Sequence, residues 1–133
     1  MATKAVELYG TQSFAGVDGI HVTDSHDVLF IVGSGTVLRG TPVVRNSSTG
    51  FWTVWANGGT NDTGNIRGFT REDVVLDGSD NVLGGVMFAG ELNYDDVVLP
   101  AGESESNLKL ALVGGTPTLR EMNIRVSGVT GVR

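Results

Sequence analysis

Hydrophobic positions in this chain come in short bursts, not in long helical stripes. Val28-Leu29-Phe30-Ile31-Val32 is a continuous apolar run of the kind that forms a buried strand. Gly33-Ser34-Gly35 turns the chain, and strands follow over 36–38 and 41–45 around Gly40. Asn46-Ser47-Ser48-Thr49-Gly50 carries hairpin chemistry. In the next strand, 51–55, Phe51, Thr53 and Trp55 fall on one face and Trp52 and Val54 on the other, which predicts cover on both sides. A polar, glycine-rich loop fills 57–65. Further strands are predicted over 66–69, 73–76, 82–89 and 91–99. The stretch from Gly90 to Pro100 combines aromatic, acidic and aliphatic strand residues with a stop, because Pro100 lacks a backbone donor and Gly102 completes a turn. A partial copy, Glu72-Asp73-Val74-Val75-Leu76, precedes it.

Helical signals are confined to the last third. Ser104 or Ser106 caps a short helix that ends before Gly114-Gly115, with Leu108, Leu110, Ala111 and Leu112 as its apolar stripe. Thr116 or Thr118 caps a second, running through Leu119 and Met122, with Pro117 in its first turn if Thr116 is the cap. Ile124-Arg125-Val126 returns as a final strand. The fold class is therefore mainly β (β-rich α+β): a small compact domain with one or two short helices. Residues 1–27 alternate only locally, at Ala5-Val6-Glu7-Leu8-Tyr9, and are broken by Gly10, Gly16 and Gly19. They read either as a frayed terminus or as an extended arm that adds a strand to a foreign sheet edge. The expected division is an arm over 1–27 and a β-rich body over 28–133.

Composition narrows the function classes. Forty per cent of the residues are hydrophobic, enough for a core in a chain of 133. Its 20 glycines, against an average usage of ~7 %, suit many tight turns. Without cysteine there is no disulfide, thiolate metal site or cysteine nucleophile. A net charge of −6, with nine dispersed basic residues, argues against nucleic acid as a partner. Neither a signal peptide nor an apolar run of membrane-spanning length is visible, so synthesis in the cytoplasm and no membrane partner are expected.

Candidate chemistry is sparse. Ser25-His26-Asp27 suggests a hydrolase, but neighbours in an extended chain point to opposite faces, and Gly33-Ser34-Gly35 is no nucleophile elbow. His21 and His26, with Asp24 and Asp27, match no standard zinc spacing. Asp77-Gly78-Ser79-Asp80-Asn81 has calcium-type oxygens without EF-hand order and reads as a turn. Asp95 and Asp96 are adjacent and so cannot share a substrate as paired acids. Phe51, Trp52 and Trp55 fit a core better than a sugar-stacking platform. Neither an enzyme nor a cofactor is expected. The aromatics and the 57–65 loop leave a carbohydrate-binding or host-attachment module as the alternative, with a host-surface glycan as its partner.

The order of elements resembles the lambda-type phage head decoration proteins, also called capsid-stabilising or cement proteins. The likeness lies in Gly35-Thr36-Val37-Leu38-Arg39-Gly40, the Ser48-Thr49-Gly50-Phe51-Trp52 hairpin, the Val82-Leu83-Gly84-Gly85-Val86-Met87 strand and the Leu119–Val126 ending. It is clearest at Gly90-Glu91-Leu92-Asn93-Tyr94-Asp95-Asp96-Val97-Val98-Leu99-Pro100. The resemblance implies a homotrimer on the outer capsid surface of the virion, at three-fold and quasi-three-fold positions, stabilising the expanded shell. It further implies an N-terminal arm against the major capsid protein, which makes Val6, Leu8, Tyr9 and Phe14 the expected capsid-binding residues.

Overall fold

Residues 19–114 and 123–127 are described by the computed structural model. Among them the chain forms eight strands: β1 (Ile20–Phe30), β2 (Thr36–Val37), β3 (Pro42–Arg45), β4 (Trp52–Val54), β5 (Gly68–Thr70), β6 (Val74–Val75), β7 (Val82–Asn93) and β8 (Ile124–Ser127). One α-helix, α1 (Glu105–Gly114), stands between β7 and β8. The fold is mainly β, as the short apolar bursts predict.

Six strands form one mixed sheet in the order β1-β4-β3-β5-β7-β8, and a further pairing of β1 with β7 closes the first five into a ring. That ring is joined unequally. β1 and β7 pair antiparallel from Ile20–Leu92 to Phe30–Val82. β1 meets β4 at a single parallel pair, Phe30 with Trp52, where the Ile31 N–H also donates to the Trp52 carbonyl at 3.0 Å. β8 lies parallel to the far end of β7.

Period-2 alternation sends neighbouring residues to opposite faces, and both faces are covered. On one side Val44, Trp55, Phe69, Met87 and Leu92 pack with Leu108 and Leu112 of α1. On the other, Phe30, Val43, Trp52 and Val86 pack under Val37 and Val74, supplied by a two-stranded β2–β6 ribbon. Val43 and Val44 thus serve different clusters, as do Trp52 and Trp55, which is the two-sided burial expected of 51–55. Trp55 is 1 % exposed, and its indole Nε1–H donates to the Gly64 carbonyl at 3.0 Å, so burial leaves no donor unmet.

Local chemistry sets the element ends. Ser104 caps α1: its Oγ accepts from the Asn107 N–H (3.1 Å) and its carbonyl from the Leu108 N–H (3.0 Å). The turn after Pro100 forms as expected, with the Glu103 N–H on the Pro100 carbonyl at 3.1 Å and Gly102 at φ +85°.

Two expectations are corrected. Gly90 does not separate two strands, since β7 runs unbroken through it to Asn93, and the predicted strand over 91–99 then stops. Tyr94–Asp96 is a 3-10 turn, because the Asn93 side chain accepts from the Asp95 N–H at 2.9 Å and folds the chain before Pro100 is reached. The boundary between arm and body, expected after Asp27, falls inside β1, where seven of the eight residues from Ile20 to Asp27 are paired with β7. The second helix, over 116–122, lies outside the described residues.

Candidate strand-docking edge

β1 is the least expected element, because His21-Val22-Thr23-Asp24-Ser25-His26-Asp27 has no strand periodicity. It is extended because β7 supplies a long ladder for it. Two register shifts interrupt that ladder, between Val22 and Asp24 and between Asp24 and Ser25. The first leaves Thr23 extra on β1 and the second leaves Phe88 extra on β7, so the alignment recovers. Gly90 sits at this irregularity with φ +148°, and a Cβ there would overlap the His21 carbonyl oxygen. The strands approach closely at that point because residue 90 has no side chain.

From Ser25 to Phe30 the pairing is regular. Ser25, Asp27 and Leu29 share one face, and His26, Val28 and Phe30 share the other. Arg71, just past β5, crosses β7 to reach the first face. Its Nη1 donates to Ser25 Oγ at 2.6 Å, its Nη2 to Asp27 Oδ1 at 2.8 Å, and its Nε lies 3.6 Å from Glu72 Oε1. The guanidinium lies over Gly85, where any Cβ would overlap its Nε. On the opposite face, His26 packs against Phe88 with the rings tilted by 51° and their centroids 5.4 Å apart, and its Nε2 is 3.6 Å from Asp24 Oδ2. Ser25, His26 and Asp27 are therefore not brought together as a triad: two serve Arg71 and the third points away.

The second edge of β1 is open from His21 to Leu29 among the described residues. Among the described residues, the backbone of His21 to Leu29 pairs with β7 alone, and β4 joins only at Phe30. None of these nine residues is buried, and His21, Thr23, Asp24, His26, Asp27 and Leu29 are exposed. In an antiparallel pair, alternate N–H and C=O groups point away from the partner, and here, among the described residues, no second strand takes them up. Such an edge can accept an extended chain, with main-chain bonds giving affinity and flanking side chains giving selectivity.

Other sequence candidates are accounted for locally. Asp77 Oδ1 accepts from the Ser79 N–H (2.8 Å) and Asn81 Oδ1 from the Val32 N–H (3.0 Å), so 77–81 is a hydrogen-bonded turn. Among the described residues, no three His, Asp or Glu side chains are grouped to hold a metal ion. Asp95 and Asp96 sit in the 3-10 turn. Trp52 packs edge-on against Phe88 at 5.5 Å, so neither tryptophan presents a face for stacking. Among the described residues no helix is long and apolar enough to cross a membrane. An open apolar cleft of ≈ 570 Å³ lies between the β2–β6 ribbon and 98–101, lined by Leu38, Val54, Trp55, Leu76, Leu99 and Pro100. The arm residues Val6, Leu8, Tyr9 and Phe14 lie outside the described residues.

Against known proteins, the chain matches no protein-family model and no curated protein.

The edge and its Arg71 clamp were not foreseen from sequence. One signal was available: two consecutive glycines, Gly84-Gly85, inside an apolar strand mark close approach by another group.

Proposed function

We propose that this chain is a structural virion protein: a trimeric decoration, or cement, protein on the outer surface of a phage capsid. There, at three-fold and quasi-three-fold positions, it binds the major capsid protein and stabilises the expanded shell. The observation that carries the reading is the open β1 edge, a main-chain docking surface that continues directly into the N-terminal segment. A two-sided core supports it by giving that edge a rigid backing. A charge of −6 disfavours capture by packaged DNA, and attachment repeated over three subunits multiplies modest contacts into firm binding. No observation favours the glycan-binding alternative, whose two tryptophans are buried and whose Phe51 is half-buried.

The test is cryo-electron microscopy of capsids from the encoding phage, with and without this protein. Outer density at the three-fold positions is the expected result. Density in the tail or inside the head would refute the reading. Sedimentation of the protein alone and on capsids then measures the trimer. Removing residues 1–18 spares β1 and should weaken attachment with the body still folded, whereas removal to Asp27 takes away paired strand and should unfold it.

A further inference from the structure

We infer that the outer edge of β1 from Ser25 to Leu29 receives an extended strand of a different protein, one with Lys or Arg opposite Asp27 and an aliphatic residue opposite Leu29. This rests on the docking role proposed above and specifies the chemistry of the partner segment. The argument begins with geometry. Upstream of Ser25 the register shifts break the regular ladder, so an incoming strand finds in-phase pairing only over 25–29. The bulge closes off one end of the edge and the β4 junction at Phe30 closes off the other.

Side chains then select the occupant. On one face the newcomer lies beside Ser25, Asp27 and Leu29, and on the other beside His26 and Val28. Charge around the edge is unbalanced: Asp27 and Glu72 flank one guanidinium, Arg71, on one face, and Asp24 lies beside His26 on the other. Directly opposed unlike charges favour a strand pair and like charges disfavour it, so this edge takes a cationic segment. Leu29 is 39 % exposed, and Leu83 is its register partner on the β7 flank. An aliphatic neighbour on the open flank completes its cover. A second copy is the wrong occupant, because two antiparallel 25–29 segments centred on each other set Asp27 against Asp27, and like charges directly opposed disfavour a strand pair.

Hydrogen exchange on the full-length protein, free and bound to capsids stripped of it, tests the inference. On binding, alternate amides of 25–29 should slow at least tenfold, while those of β7 stay as they were. Leu29→Glu should lower capsid occupancy at least tenfold, and Leu83→Glu, on the flank away from the newcomer, should leave it within threefold. Raising the salt from about 0.05 to 0.5 M should weaken wild-type binding, as screening of a charged contact requires. Circular dichroism of both variants checks that they are folded. If the wild type binds with no change over 25–29, the strand inference is overturned and the decoration reading stands. If the wild type does not bind, both fall. Protection of 25–29 that rises with concentration in the free protein would make the occupant a second copy and overturn the inference.

Discussion

β1 and β7 are joined over nearly their whole lengths yet are held in place for different reasons. β7 has neighbours on both edges, β1 on one side and β5 then β8 on the other, and its Val86 and Met87 are fully buried on opposite faces. Among the described residues, β1 from His21 to Leu29 is paired along one edge, and of its eleven residues only the terminal Ile20 and Phe30 are buried. A strand enclosed on four sides is specified by packing. A strand enclosed on one is specified by its partner, and its remaining side is available for binding. In this molecule the least packed strand of the main sheet is the one that carries the candidate function.

Mutations can test that contrast, and the largest effect belongs to β7. Met87→Ala should cost about 2–5 kcal/mol in urea unfolding, because the side chain is fully buried in the helix-side core. His26→Ala on the paired β1 should stay within about 0.5 kcal/mol. Equal losses would mean that β1 is as tightly specified as β7.

Two glycines of β7 sharpen the contrast further. Gly90→Ala meets the backbone carbonyl of His21 and an unfavourable φ, and should cost about 1–3 kcal/mol. Gly85→Ala meets only the Arg71 side chain, which can swing away, so its cost should be near the ~1 kcal/mol of the hydrogen bonds it breaks. Thermal melts of the pair rank them, and the reverse order would show that Arg71 is locked more firmly than its geometry suggests.

A smaller effect is expected from the clamp itself. The Arg71–Asp27 pair is close, at 2.8 Å, but Asp27 is 57 % exposed and solvent screens it. A double-mutant cycle with Arg71→Ala and Asp27→Ala should give a coupling below about 1 kcal/mol. A larger coupling would make the clamp a determinant of β1 and not an accessory.

The smallest effect is a pH dependence at the end of β7. The Tyr94 hydroxyl donates to Glu105 Oε2 at 3.2 Å, tying the 3-10 turn to α1. Burial, and then the adjacent Glu105 carboxylate, raise the Tyr94 pKa above its ordinary 10.0. A raised value means the fold favours the neutral phenol. The associated stability is complete below the unfolded-state pKa and is lost as pH rises through the folded one. Unfolding midpoints taken from about pH 9 to 11 should fall more gently for Tyr94→Phe than for the wild type. Identical slopes would discount the link.

Much of the fold was legible because its determinants are local. Short apolar bursts and abundant glycine implied a β domain. Ser104 marked the start of α1, Pro100 and Gly102 marked a turn, and the alternation over 51–55 predicted cover on both faces of that strand. Each of these rests on residues within a few positions of one another, where a hydroxyl, a missing N–H or a period of two acts without help. The tertiary structure alone decided that the mostly polar residues 21–27 would be strand, that β7 would pass through Gly90, and that Arg71 would reach Ser25 and Asp27. It also decided that, among the described residues, one edge of β1 from His21 to Leu29 would stay open. These outcomes depend on ladders and contacts between segments far apart in the chain, and β1 takes its conformation from a partner that its own residues do not encode.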